Sequence, residues 1–117
     1  MLIAAGIADL GVAVFHILFW RLFGWPQRLQ PSGSVNTAIT QTMNAVLIYV
    51  FAAYGGALIL AGLQGARPVA LLLAGVGFGV LRIGLQFLWF GMDSRGSRAF
   101  TAVAVAITGL HLLAALS

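Results

Sequence analysis

Long apolar runs alternate with short polar segments along this chain. Four runs cover residues 2–23, 37–63, 69–90 and 99–116, and each is long enough for a membrane helix, which needs about 20 apolar residues. The runs are continuously apolar rather than alternating, so they favour helices over the strands of a membrane barrel. The pattern therefore predicts an all-α membrane protein with four transmembrane helices in a single integral membrane domain, residues 1–117.

The polar segments between the runs are short. Prolines, glycines and serines mark them as loops at residues 24–36, 64–68 and 91–98. Short connections favour antiparallel neighbours, so we expect an up-down-up-down antiparallel bundle. The first run lacks a basic leading segment and a cleavage site, which predicts a retained first span rather than a signal peptide.

Composition agrees with a membrane location and narrows the chemistry. Charged residues are 7% of the chain, whereas a soluble domain carries about 25%. The chain has no cysteine, which excludes disulfides, a thiolate nucleophile and cysteine-ligated metals. Its cationic residues do not form a basic patch with interleaved aromatics, so membrane lipids are the expected partners and nucleic acid is not.

The arginines predict an orientation. Arg21, Arg28, Arg95 and Arg98 lie in or beside the first and third connections, whereas Arg67 is alone in the second. Positive charge marks the cytoplasmic side of membrane proteins. We therefore expect the first and third loops in the cytoplasm and both termini outside.

Small and polar residues share one face of each predicted helix. At 100° per residue, the aligned sets are Gly6, Asp9, Ala13 and His16; Thr37, Gln41, Asn44 and Gly55; Gly75, Gly79, Arg82 and Gln86; and Thr101, Ala104, Thr108 and, at the edge, His111. Lipid offers these groups no hydrogen bonds, so we expect the polar faces to turn inward.

The helix rise of about 1.5 Å per residue divides the polar side chains into two layers. The inner layer consists of His16, Asn44, Arg82, Gln41 and Gln86. The outer layer is the pair Asp9 and His111. Arg82 is the most informative member, because a guanidinium inside an apolar run is costly and usually faces a partner.

Three functional interpretations stay open at this point. In the first, the polar core binds or transports a small solute, an anion or a proton, and Arg82 holds the anion. Four helices leave little room for a pore in one protomer, so this interpretation favours a homo-oligomer. A purely structural interpretation is also open, in which the polar residues bond across helices and Asp9 pairs with Arg82.

The second interpretation is a redox protein in which His16 and His111 contact a haem or a quinone. The two histidines differ by about 6–9 Å in height, which speaks against ligation of one iron. A metal ion is left open, although no tight motif such as HExxH is present. The third is a structural membrane subunit or an intramembrane enzyme that acts on lipid through Arg82 and His16. Without a GxSxG or phosphate-loop motif, enzymatic activity is the weaker expectation.

The first half of the chain resembles a group of other membrane proteins. The segment from Phe15 to Trp20 and on to Trp25, followed by Asn36, Gln41, Met43, Asn44 and residues 47–51, resembles a family of small four-helix bacterial inner-membrane proteins without a known activity. The resemblance covers about the first half of the chain and implies a bacterial cytoplasmic membrane location. Small multidrug transporters have a similar length, but their membrane-embedded Glu is absent here, so drug export is not predicted.

Overall fold

A computed structural model describes residues 1–117, and all of its regular structure is helical. The elements are α1 (Leu2–Ile17), α2 (Phe19–Leu22), a 3₁₀ turn (Gln30–Ser32), α3 (Ser34–Leu63), α4 (Val69–Leu85), a π-helical turn (Gln86–Phe90) and α5 (Arg95–Leu116). The prediction of an all-α chain is therefore confirmed.

Three helical segments are long and apolar enough to cross a membrane: Ser34–Leu63, Val69–Phe90 and Arg95–Leu116. Their surfaces are apolar as well, since Leu88 and Trp89 expose 70% and 73% of their area. Only six apolar residues of the chain are buried. A surface of this kind suits lipid rather than water, because large exposed apolar patches are rare on soluble monomers.

The first apolar run differs from the prediction of one continuous span over residues 2–23. Helix α1 ends at Ile17, and its 16 residues extend about 24 Å, less than the roughly 30 Å of a hydrocarbon core. At Leu18 the backbone tightens, because its N–H is shared between the carbonyls of Val14 (3.2 Å) and Phe15 (3.1 Å). Helix α2 then continues to Leu22.

The other boundaries are close to those predicted, with three exceptions. Helix α5 begins at Arg95, four residues before the predicted start at residue 99. Helix α3 begins at Ser34, three residues before the predicted start, and its 30 residues extend about 45 Å, longer than the hydrocarbon core. The end of the predicted third span widens into the π-helical turn, where the Gly91 N–H donates to the Gln86 carbonyl (3.1 Å).

The chain divides into two compact units. The N-terminal unit, Gly6–Ala57, contains most of α1, all of α2 and most of α3. Its helices approach closely at Gly55, where a Cβ would lie 2.7 Å from the Gly6 carbonyl oxygen and 3.1 Å from the Asp9 Cβ. Small residues allow this kind of backbone contact between membrane helices.

The C-terminal unit consists of Met1–Ala5 and Leu58–Ser117. In it α4 packs against α5, and Gly79 faces the Thr108 side chain, with Thr108 Cγ2 2.9 Å from the position of an added Cβ. The Thr108 hydroxyl donates to the Ala104 carbonyl (2.7 Å), so its polar group is satisfied within α5. Leu72 is fully packed in this unit.

Candidate functional site

In the N-terminal unit the polar faces of α1 and α3 meet. The Asn44 amide is 4% exposed and donates through Nδ2 to the His16 backbone carbonyl (2.8 Å). That carbonyl lies in the last turn of α1, where carbonyls have no partner inside the helix. Asn44 therefore stabilises the end of α1 at the point where the backbone is interrupted.

A second cross-helix bond lies one helical turn away. The Trp20 indole Nε1 donates to Gln41 Oε1 (2.9 Å), and Gln41 Nε2 donates to the Thr37 carbonyl (3.3 Å). The Thr37 hydroxyl reaches the Leu29 carbonyl (2.9 Å) and the Gly33 carbonyl (2.8 Å), which attaches the preceding loop to the start of α3. Both ends of the Gln41 amide are thus used within this unit.

The two histidines have similar local surroundings within their own helices. His16 Nδ1 lies 2.8 Å from the Val12 carbonyl, and His111 Nδ1 lies 2.8 Å from the Ile107 carbonyl. A carbonyl can only accept, so these bonds assign the hydrogen to Nδ1 in each ring. The His16 ring also stacks on Phe19, with centroids 4.4 Å apart.

The C-terminal unit contains the Arg82 network, which we define as Arg82, Gln86, Ser97, Phe90 and Phe100. Arg82 Nη1 donates to Gln86 Oε1 (2.9 Å), and Gln86 Nε2 donates to Ser97 Oγ (2.9 Å). The guanidinium carbon lies 4.5 Å from the centre of the Phe100 ring and 5.4 Å from that of Phe90. Every one of these partners is uncharged.

Hydrogen bonds attach this network to the loop between α4 and α5. The Ser97 hydroxyl donates to the Gly91 carbonyl, and the Ser97 N–H donates to Ser94 Oγ (3.0 Å), which caps α5. Gln86 is 4% exposed and bonds on both sides of its amide. The Arg82 guanidinium is therefore held in a defined position by Gln86, which is itself fixed by Ser97.

The Arg82 side chain is directed toward that loop. Its ring partner Phe90 lies eight residues further along the same helical segment, about 12 Å along the axis. Most helical side chains lean toward the N-terminus instead. Arginines near the end of a membrane helix extend their charge to the interface in this way.

The structure distributes the predicted site residues between the two units. Asp9, His16, Gln41 and Asn44 lie in the N-terminal unit, and Arg82, Gln86 and His111 in the C-terminal unit. Within the units, Asn44 reaches the His16 backbone and Arg82 reaches Gln86, whereas proximity of Arg82 to His16 and of Asp9 to His111 stays a prediction.

Sequence reasoning missed several partners. Trp20 was not singled out as a hydrogen-bond donor, yet its indole N–H donates to Gln41. Ser97 and Phe100 were not singled out, although Ser94 and Ser97 show the spacing of a capping serine and the third residue of a helix. That spacing could have identified Ser97 as part of the start of α5.

The arrangement limits the available chemistry. No group of three or more His, Cys, Asp or Glu side chains is placed to hold a metal ion. Every buried side-chain nitrogen and oxygen has a hydrogen-bond partner. Arg82 is charged, and its partners, one amide oxygen and two aromatic rings, carry no opposite charge.

Similarity to known proteins adds no assignment to these residues. No protein-family model matches the chain, and no curated protein or solved structure shows significant similarity to it.

Proposed function

We propose that this chain is an integral membrane protein that binds an anionic group at Arg82. The observation that supports the proposal is the set of uncharged partners around the guanidinium: one amide oxygen and two aromatic rings. An anion would supply the missing opposite charge.

The donors of the guanidinium support this choice. Arginine carries five N–H donors in a fixed plane, and the Gln86 bond uses only one of them. Cation–π contacts with Phe90 and Phe100 contribute about 0.5–2 kcal/mol each but accept no hydrogen bond in the guanidinium plane. The edge of the plane therefore suits a bidentate oxyanion, and such charge-assisted pairs are the stronger hydrogen bonds.

We also propose that the chain crosses the membrane four times. The helical turns of α1 and α2 together run from Leu2 to Leu22 and extend about 30 Å, enough for a first crossing. With the three longer helical segments this gives four crossings in up-down-up-down order. We place the Arg-rich first and third loops on the cytoplasmic side of a bacterial inner membrane, with both termini outside.

Anion binding is tested on purified protein in lipid nanodiscs. Two anionic probes are offered separately: inorganic phosphate over phosphatidylcholine discs, and phosphatidylglycerol mixed into the discs. A ligand that binds only the folded state raises stability by RT ln(1 + [L]/Kd), about 2.7 kcal/mol at 100 times Kd. We expect at least one probe to raise the melting temperature of the wild type and not that of Arg82→Gln.

Arg67→Gln is the matched control, because it removes the same charge from an exposed arginine in the loop between α3 and α4, outside the Arg82 network. Sodium chloride at equal ionic strength controls for screening. The control variant should respond to the probe as the wild type does. If neither probe distinguishes the wild type from Arg82→Gln, anion binding at Arg82 is wrong.

Transport is a separate question that the same variants answer. In liposomes, an anion transporter should show phosphate flux that depends on Arg82 and not on Arg67. Binding without flux would make the protein an anion-binding membrane subunit instead. Either result is compatible with anion binding itself.

A further inference from the structure

We infer that the anionic group bound at Arg82 is the phosphate of an anionic phospholipid. The inference rests on the proposed function and names the ligand class for the same site. Its basis is the surface around the Arg82 network, where exposed cations and exposed apolar rings occur together at the loop between α4 and α5.

Positive charge is concentrated at this end of the C-terminal unit. Arg95 and Arg98 are exposed in the first turns of α5, and the nearby acid is Asp93. A helix N-terminus already carries a partial positive charge and normally favours acidic residues, but the first turn of α5 has none. The two arginines therefore add to the charge of Arg82 rather than balance it.

These cations suit a negatively charged membrane surface. An anionic leaflet attracts each juxtamembrane arginine by about 1 kcal/mol, and the attraction decreases within a Debye length. Arg98 makes one long bond to the Met92 carbonyl (3.3 Å), so most of its donors face outward. Arg95 and Arg98 thus provide general attraction, whereas Arg82 is fixed by Gln86 and provides a defined contact.

Apolar surface lies directly beside the cations. In the π-helical turn Phe87, Leu88, Trp89 and Phe90 expose more than half of their area. Aromatic residues are enriched where membrane helices meet the headgroup layer. Phe90 belongs to both surfaces, since its ring is exposed and also contacts the Arg82 guanidinium.

The combination selects a lipid over a soluble anion. A free phosphate would contact the arginines alone. A phospholipid places its phosphate at the guanidinium and its acyl chains along the rings, so one molecule engages both surfaces, and anionic headgroups are already concentrated at the membrane surface. We therefore expect phosphatidylglycerol to bind more tightly than inorganic phosphate.

Native mass spectrometry tests the inference on the intact chain. Protein is released from nanodiscs that contain phosphatidylglycerol and phosphatidylcholine in equal amounts, and the retained lipids are counted. We expect phosphatidylglycerol to be retained in preference to phosphatidylcholine by the wild type and by Arg67→Gln. Arg82→Gln should lose this preference at least tenfold.

A second variant, Arg82→Lys, keeps the test interpretable if Arg82→Gln misfolds. Arg82→Lys keeps the charge but removes the planar pair of donors, so it should fold and retain phosphatidylglycerol several-fold less well than the wild type. Equal retention by the lysine variant and the wild type would contradict a bidentate phosphate contact. Excess inorganic phosphate should not displace the retained lipid.

The outcomes separate the inference from the proposed function. If inorganic phosphate stabilises the protein through Arg82 while phosphatidylglycerol is retained no better than phosphatidylcholine, the lipid inference is wrong and anion binding stands. If Arg82 affects neither probe, both are wrong. Equal loss of phosphatidylglycerol in Arg67→Gln and Arg82→Gln would indicate nonspecific attraction and would also overturn the lipid site.

Discussion

The sharpest stability prediction concerns Gly55, where α1 and α3 touch within the N-terminal unit. An alanine there would place its Cβ 2.7 Å from the Gly6 carbonyl oxygen and 3.1 Å from the Leu10 nitrogen, whereas ordinary contacts begin at 3.4 Å. Both obstacles are backbone atoms, so a side-chain rotation cannot relieve them. The two helices would have to separate by several tenths of an ångström.

The size of the effect follows from two opposing contributions. Overpacking of a close contact costs about 1–3 kcal/mol. Gly→Ala in a helix gains up to about 1 kcal/mol from helix propensity, which offsets part of that cost. Gly56 supplies the matched control, since an added Cβ there meets nothing within 4 Å. The propensity gain is common to both variants, so Gly55→Ala should be less stable than Gly56→Ala by about 1–3 kcal/mol.

Reversible unfolding in mixed micelles measures this difference. Denaturing detergent is titrated against the otherwise wild-type chain and both alanine variants, all carrying Trp89→Phe, so that the fluorescence of Trp20 and Trp25 reports on the N-terminal unit. A difference of 1.4 kcal/mol corresponds to a tenfold change in the unfolding equilibrium constant. Equal stability of the two alanine variants, or a more stable Gly55→Ala, would refute the close contact between α1 and α3.

Three further predictions follow from the polar groups and the helix lengths. Asn44→Leu leaves the His16 carbonyl without its amide donor and should lower the free energy of unfolding by about 1 kcal/mol in the same titration; an unchanged value would contradict the bond. Tags fused beside Met1 and Ser117 should both be cleaved by protease added to one side of the membrane and both be protected from protease on the other, since four crossings return the chain to its starting side. Tags cleaved from opposite sides would indicate three crossings. Absorbance of the purified protein in the Soret region tests the haem interpretation: a band that is lost in His16→Ala or His111→Ala would support it, and a colourless protein would contradict it.

Helix existence was predictable because hydropathy is a local property. Continuous apolar runs gave the segments that became α3, α4 and α5, and the loops followed from proline, glycine and serine. The start of α3 was placed too late, because Ser34 and Asn36 are polar and a hydropathy pattern ends where polarity begins. A helix that extends beyond the hydrocarbon core can carry such residues in its first turn.

The interruption at Leu18 had no signal in the sequence. Leucine is a good helix former, and the surrounding run is apolar throughout, so nothing predicted that α1 would end at Ile17. The π-helical turn after Leu85 was equally unpredicted, because four of its five residues continue the apolar run. Both departures concern backbone hydrogen-bond register, which hydropathy does not report.

Some hydrogen-bond partners of the polar side chains were predictable from helical spacing, and others were not. The spacing of Arg82 and Gln86 on one helix predicted that these side chains share a face, and i,i+4 geometry is sufficient for their bond. That Asn44 reaches a backbone carbonyl rather than the His16 ring depends on how α1 and α3 rotate against each other. The sequence alone determined where the apolar helical segments lie and which faces are polar, because both follow from residue type and helical period. Only the tertiary structure decided the partner of each polar group, because helix rotation and the path of the loops set those distances.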